Sequence, residues 1–222
     1  MARMKSSLTT ILTAIALLGS FLPRESGATA AAPDLPTARQ QFEAARAGSR
    51  DATEQAQRLF DRLLRGDRGN PLYLAYYGST FTLQGRDSHV PWTKIKLINQ
   101  GVAILDSALA ALERPAARLR LGALDLETRL IAIATFVALP EPLFHHFGAA
   151  KRQFGAALAS PDFASAPADL RGRLFYEGAL IARQERDNDG ERSALRRVQA
   201  LAPANVDMAE VRARLAALGD RQ

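Results

Sequence analysis

Apolar side chains recur at three- and four-residue steps through most of this chain, in long runs that glycine and proline separate. In the run after Gly48, for example, Ala56, Leu59, Phe60 and Leu63 would form one apolar stripe along a helix. No run between turn signals alternates with the two-residue period of a half-buried strand. The sequence therefore predicts an all-α fold.

The turn signals divide the chain into about nine predicted helices. Thr37 and Asp51 are expected to cap the first two, while Pro71 and Pro91 open the third and fourth at a position where proline loses no hydrogen bond. The expected bounds are 37–47, 51–66, 71–84, 91–114, 115–137, 142–158, 168–185, 190–201 and 205–218. Short connections favour antiparallel pairing of neighbouring helices.

The N-terminal end has the pattern of a secretory signal peptide. Arg3 and Lys5 precede the apolar stretch 8–22, and Ala28 and Ala30 form an Ala-x-Ala site. We expect cleavage after Ala30, a linker over 31–36 and a helical domain over 37–222. The alternative is an uncleaved anchor, but the apolar stretch is shorter than the roughly 20 residues that span a bilayer. The mature protein is expected in the periplasm or medium, without a transmembrane segment.

Composition narrows the chemistry and the partners. The chain has no cysteine, which excludes disulfides and thiol catalysis, and its formal net charge is +6. A basic surface can attract anionic lipid, acidic peptides or nucleic acid. Nucleic acid is the least favoured for an exported protein, and no dense lysine/arginine block is present. A solvated surface of mixed charge is the simpler alternative.

Two segments resemble the tetratricopeptide repeat (TPR), a pair of helices in which a glycine lies beside an aromatic residue in the first helix. Gly78 follows Tyr77 and precedes a helix whose small residues include Gly101. Near the C-terminus, Gly178 follows Tyr176, and "LAPAN" ends the next helix. The resemblance implies a TPR-like α-solenoid of four helix pairs with a C-terminal capping helix.

The same resemblance explains why a helix interior carries a glycine. Glycine costs about 1 kcal/mol against alanine there, and we expect close packing of the two helices at Gly78 to offset this cost. Gly101 and Ala108 would offer small surfaces for the same purpose. The alternative is that Gly78 ends or kinks its helix.

A TPR-like solenoid has a concave face formed by the first helix of each pair, and this face commonly binds a peptide or a protein. The resemblance therefore implies binding residues on these helices, which we identify as Tyr76, Ser79, Arg129 and Arg183. The two arginines would bind a carboxylate or an acidic segment, because a guanidinium offers a planar fork of donors.

Three clusters carry groups that can do chemistry, but their spacing disfavours it. Consecutive Asp87, Ser88 and His89 cannot readily converge as a catalytic triad, and a role in capping or turn hydrogen bonds is expected. Adjacent His145 and His146 would diverge by about 100° on a helix, so they are not expected to share a metal ion.

The third cluster is on the predicted helix 115–137. Arg129 is expected to pair with Asp125 at four residues' spacing, while Asp125 and Glu127 would point to different faces.

The single tryptophan, Trp92, is expected to pack beside Tyr76 and Tyr77, or alternatively to cap an exposed pocket.

These patterns favour a periplasmic binding or scaffolding module that is not an enzyme and has no cofactor. Such a module could assist a cell-envelope transporter or assembly machine. An all-helical enzyme and a small-molecule-binding protein remain the alternatives.

Overall fold

The computed structural model describes residues 35–114 and 123–219. Within this part of the chain, 80% of residues are helical and there is no strand, so the all-α prediction is confirmed. The predicted signal peptide, its cleavage site, and residues 31–34 of the predicted linker lie outside the described residues. The first half of the predicted helix 115–137 also lies largely outside them.

The described residues form ten helices, numbered here in chain order. They are α1 (Leu35–Arg46), α2 (Arg50–Gly66), α3 (Pro71–Asp87), α4 (Pro91–Leu112), α5 (Ala123–Ala138), α6 (Glu141–Phe144), α7 (Phe147–Leu158), α8 (Ala168–Glu185), α9 (Asn188–Leu201) and α10 (Met208–Ala217).

The predicted helix 142–158 is two helices, because the chain breaks at the adjacent histidines. His145 has φ 54°, in the left-handed region, and ends α6. The Glu141 carboxylate then accepts a hydrogen bond from the Phe147 amide at 2.8 Å, which satisfies a donor at the start of α7. A single helix with two diverging histidines was therefore the wrong prediction.

The capping residues also differ from the predicted ones. α1 begins at Leu35, ahead of Thr37, and Ser49 rather than Asp51 caps α2 by accepting from the Ala52 amide at 3.3 Å. Asn70 caps α3, with its side-chain oxygen accepting from two amides of the first turn. Each cap satisfies backbone donors that have no partner inside the helix.

Neighbouring helices pack in pairs, α1 with α2, α3 with α4, α5 with α7, and α8 with α9, and α2 also packs on α3 as extensively as some of these pairs do. The first helices of successive pairs are also in contact, since α3 touches α1 and α5, and α5 touches α8. α10 packs on α9 at the C-terminal end. The first helices of the four pairs, α1, α3, α5 and α8, therefore pack against one another in chain order.

α3 and α4 cross at two glycines. A Cβ atom on Gly78 would lie 2.8 Å from the Gly101 carbonyl oxygen, and one on Gly101 would lie 2.5 Å from the Gly78 carbonyl oxygen. Either distance is too short for a real side chain. The prediction that Gly78 lies at a close helix crossing is confirmed, and the two helices approach backbone to backbone.

An aromatic cluster joins the first two pairs. Tyr76 of α3 stacks on Phe60 of α2 with ring centroids 4.5 Å apart, and meets Phe42 of α1 edge-on at 4.8 Å. All three rings are buried. A smaller cluster around Leu195 and Val211 holds α8, α9 and α10 together.

Trp92 is not part of that aromatic cluster. The face of α4 that meets α3 runs through Ile98 and Gly101, and Trp92 lies about 120° around the helix from Ile98. The tryptophan side chain is 81% exposed. The expectation that it packs beside Tyr76 was therefore wrong.

By length and hydropathy, α4 is the one helix among the described residues that could cross a membrane. Its most apolar window is 44% buried against the rest of the protein. Core helices of soluble proteins share this property, so it is weak evidence for a spanning segment.

Replacing Gly78 with leucine tests the crossing. We expect Gly78→Leu to lower the free energy of unfolding by about 1–3 kcal/mol, because the side chain must separate α3 from α4. The same substitution at Gly155, which has open space around its Cβ position in α7, should be neutral or stabilising by up to about 1 kcal/mol. Thermal melts followed by circular dichroism measure both. Equal melting temperatures for the two variants would contradict the crossing.

Candidate functional site

A groove with a volume of about 1240 Å³ is lined mainly by the first helices of the four pairs. The start of α4 and the region around α6 contribute most of the remaining lining. On α3 the lining residues include Tyr76, Ser79, Leu83 and Arg86, whose spacing of three and four residues belongs to one helix face. The groove is therefore formed by matching faces of successive helices.

These helices run in the same direction along the groove. Arg39 and Tyr76, early in α1 and α3, both reach Glu127, while Arg86 at the end of α3 donates to the Ala45 carbonyl oxygen at 3.0 Å near the end of α1. The N-terminal and C-terminal halves of the first helices thus lie at different ends of the groove.

One region of the groove holds an acid–base cluster made of Arg39, Glu43, Tyr76, Glu127, Arg173 and Glu177. Glu127 connects three helices: its carboxylate accepts from Arg39 Nε and from the Tyr76 hydroxyl, both at 2.6 Å. Burial, together with the Glu127 charge, raises the pKa of the Tyr76 hydroxyl, so the tyrosine remains a donor.

The second half of this cluster lies on α8. Arg173 Nε donates to Glu177 Oε1 at 2.9 Å, and its Nη1 donates to the Asn205 carbonyl oxygen at 3.3 Å. Burial raises the pKa of the Glu177 carboxyl, although the charge of Arg173 opposes this shift.

Glu43 is the most accessible carboxyl of the cluster. About half of its side chain is exposed, and it accepts from Arg46 at 2.8 Å. Because Glu43 lies inside the concave groove, the surrounding protein reduces the hydration of its charge and raises its pKa. The nearby Glu127 charge acts in the same direction, while Arg173 opposes it.

Further along the first helices the lining is largely apolar. Its members include Leu83 of α3, Ile98 of α4, Ile131 and Val137 of α5, and Leu180 of α8. Of the large apolar side chains in the lining, Ile95 and Leu143 are strongly exposed, at 40% and 67%. An apolar ligand would find its contacts here.

The groove is positively charged on balance. Six cationic and four anionic side chains line it, a formal excess of +2. The cations outside the acid–base cluster are Arg46, Arg86, Lys94 and Arg183. Lys94 has no ion-pair partner among the described residues, so its charge is available to a ligand.

Three of the four predicted binding residues line the groove: Tyr76, Ser79 and Arg183. Tyr76 and Ser79 are nearly buried, and their hydroxyls are used internally. Ser79 hydrogen-bonds to the Thr135 hydroxyl at 2.5 Å, and Thr135 in turn donates to the Ile131 carbonyl oxygen. These two side chains shape the groove wall more than they present polar atoms to a ligand.

Arg129 lies outside the groove. It is two residues from Glu127 and from Ile131, which both face the groove, so it projects from another side of α5. Its side chain is 7% exposed and lies 3.1 Å from Asp125, with a further hydrogen bond to Gln153. The predicted pairing with Asp125 is confirmed, and this buried arginine is not available to a groove ligand.

Sequence reasoning missed most of the acid–base cluster. Arg39 and Glu127 are far apart in sequence, and Arg173 and Glu177 look like an ordinary helical i, i+4 pair. The one sequence signal for this face was the position of Tyr76 and Ser79 on the first helix of a TPR-like pair. The cluster arises from the packing of helices, which no local pattern encodes.

The other candidate clusters have local structural roles. Asp87 pairs with Arg86, the Ser88 hydroxyl accepts from the Val90 amide, and His89 contacts Arg50 at 3.0 Å. His146 contacts the Phe144 carbonyl oxygen and Asp106. Within residues 35–114 and 123–219, no group of three or more potential ligands could hold a metal ion.

Comparison with known proteins gives no match: no family model, no curated protein and no solved structure matches the chain. The function is therefore inferred from the groove itself.

Arg183 is oriented by a buried carboxylate at the edge of the groove. The Glu191 side chain has no exposed surface and accepts from Arg183 Nε at 2.7 Å. Arg214 of α10 binds both oxygens of the same carboxylate at 2.7 Å. Hydrogen bonds from Arg214, reinforced by Arg183, lower the pKa of Glu191 although burial opposes the shift. Glu191 thereby ties α8 and α10 to the start of α9.

We expect Glu191→Gln to lower the free energy of unfolding by about 2 kcal/mol at pH 7, because it removes the charge that accepts hydrogen bonds from Arg183 and Arg214. Since the folded-state pKa is below the ordinary value, this contribution is present above about pH 4.5 and is lost as the pH falls through the folded value. Urea denaturation of both proteins at pH 7 and below pH 4 measures the difference.

Glu54→Gln is the matched control, since Glu54 forms an exposed pair with Arg58 at 3.4 Å. It should change stability by less than about 1 kcal/mol. A Glu191→Gln effect that does not shrink at low pH would contradict the role of the charge.

Proposed function

We propose that this chain is a non-catalytic binding module, a TPR-like solenoid of the bacterial periplasm whose groove holds a segment of a partner protein. The observation that carries the proposal is the groove itself, with lining contributed by four successive first helices. A groove lined by successive helices suits an extended or helical peptide.

Several packing features support the TPR-like arrangement. α3 and α4 cross at Gly78 and Gly101, as the small residues of a TPR pair would. In the last pair, Pro203 packs within 2.6 Å of the Cβ position of Gly172 and so closes α9 onto α8. α10 then covers the end of the stack as a capping helix would.

The lining indicates the chemistry of the partner segment. Its apolar side chains would contact Leu83, Ile98 and Leu143, and its carboxylates would meet the groove cations outside the acid–base cluster, of which Lys94 has no ion pair among the described residues. We therefore propose an amphipathic partner segment with acidic residues. Export would give it access to envelope proteins, which favours a helper of a transporter or assembly machine.

The acid–base cluster favours a second candidate, a groove that binds or converts a small molecule. Glu43 has an accessible carboxyl with a raised pKa, which is a property of many general acids and bases. The other two carboxylates of the cluster are held by Arg39 and Arg173 and by the Tyr76 hydroxyl. This arrangement supports a fixed binding surface better than proton transfer.

Filling the groove tests the first candidate. Ala134 of α5 lines the groove, whereas Ala110 is exposed on α4 and does not line it. We expect Ala134→Phe to lower the yield of a crosslinked partner at least about tenfold, and Ala110→Phe to leave it unchanged, since one side chain occupies the groove and the other does not.

The measurement is amine-reactive crosslinking in the cell envelope, followed by capture and mass spectrometry. Lys94 lines the groove while Lys151 does not, so crosslinks through Lys94 locate the partner. Equal yields from the two phenylalanine variants would reject a groove-bound protein. A small molecule retained by the native protein and absent from Ala134→Phe would favour the second candidate.

A further inference from the structure

Four large apolar side chains are strongly exposed among the described residues, and three of them lie within residues 90–95: Val90, Trp92 and Ile95. We propose that these three residues, together with Lys96, form a membrane-binding patch that docks the protein on the surface of an anionic bilayer. Ile95 also lines the groove, but the inference does not depend on what the groove binds.

The patch is held rigidly at the start of α4. Val90 is the N-cap residue, and Trp92 and Ile95 are three positions apart on the same side of the helix. They are 55%, 81% and 40% exposed, respectively. The packing of Ile98 and Gly101 on α3 fixes the helix behind them, so these side chains project from a stable support.

The charge around the patch is complementary to an anionic lipid surface. Lys96 lies about 40° around the helix from Trp92, and it is exposed with no ion-pair partner among the described residues. Arg50 is close as well, since it contacts His89, whereas the Arg86 charge is balanced by Asp87. The patch therefore has two cations without an ion-pair partner among the described residues, Lys96 and Arg50, beside three apolar side chains.

This combination favours a bilayer surface over a protein partner. Tryptophan prefers the membrane–water interface, and lysines extend their ammonium groups to lipid headgroups while their stems remain in apolar surroundings. Three apolar side chains are few for a stable protein interface, but they suffice for interfacial binding when cations assist.

The rest of α4 argues against insertion of the whole helix. From Ile98 onward the helix contributes buried residues such as Val102, Leu105 and Leu112 to the protein core. Crossing a bilayer would require α4 to leave α3 at the Gly78–Gly101 contact. Docking through the exposed first turn requires no such separation.

The single tryptophan provides a local readout. Because Trp92 is the only tryptophan in the chain, its emission reports the patch, whatever other part of the protein touches lipid. We expect a blue shift on titration with vesicles of phosphatidylcholine and phosphatidylglycerol, and quenching by lipids brominated near the headgroup. Pure phosphatidylcholine vesicles should bind at least about tenfold more weakly, because they carry no net charge and attract the cations of the patch only weakly.

Lys96→Glu should weaken the response to anionic vesicles about tenfold, since Lys96 belongs to the patch but does not line the groove. Lys151→Glu is the matched control, because Lys151 is on α7 and pairs with Glu185. It makes the same charge change and should alter the response less than about twofold. The tryptophan emission of each variant without lipid checks that the patch is intact.

Three results would overturn the proposal. The first is unchanged Trp92 emission with anionic vesicles, and the second is an equal loss of response in Lys96→Glu and Lys151→Glu. The third is a blue shift that grows with protein concentration in the absence of lipid, which would assign the patch to self-association. Failure of groove crosslinking, by contrast, would leave the vesicle result unaffected.

Discussion

The contact between Gly78 and Gly101 is the constraint on which the arrangement of the functional surfaces depends. Because neither residue has a side chain, α3 and α4 meet through their backbones. This contact fixes the rotation of α3, so that Tyr76 and Ser79 face the groove. It also fixes α4 with its first turn free of the core, where Trp92 is exposed. One close crossing thus orients both the groove wall and the exposed patch.

The charged side chains fall into two groups, those that form ion pairs and those that do not. Inside the groove, the Arg39–Glu127 pair links α1 to α5, while the Arg173–Glu177 pair lies within α8 and lines the surface. Near the starting turn of α4, Lys94 and Lys96 have no such partners among the described residues. The paired charges contribute shape and rigidity, and the unpaired ones are free to attract a ligand or a lipid headgroup.

Sequence reasoning succeeded where local periodicity decides the structure. It predicted the all-helical fold, the starts of α3 and α4 at Pro71 and Pro91, and the pairing of Arg129 with Asp125. It failed at the break between α6 and α7, because one carboxylate, Glu141, satisfies the amide that a continuous helix would have bonded internally. It also missed the exposure of Trp92, which depends on the direction in which α4 packs.

The sequence alone determined that the fold is helical and where several helices begin, and it predicted a close helix crossing at Gly78, because helix periodicity and steric exclusion are local properties. Only the tertiary structure decided that Arg39, Glu127 and Arg173 would share one groove, since this depends on the order and rotation of packed helices. It also placed Arg129 on a different side of α5 from Glu127, because two residues rotate a helix by about 200°. Side chains far apart in sequence come into contact only when the helices pack, and the chemistry of the groove depends on those contacts.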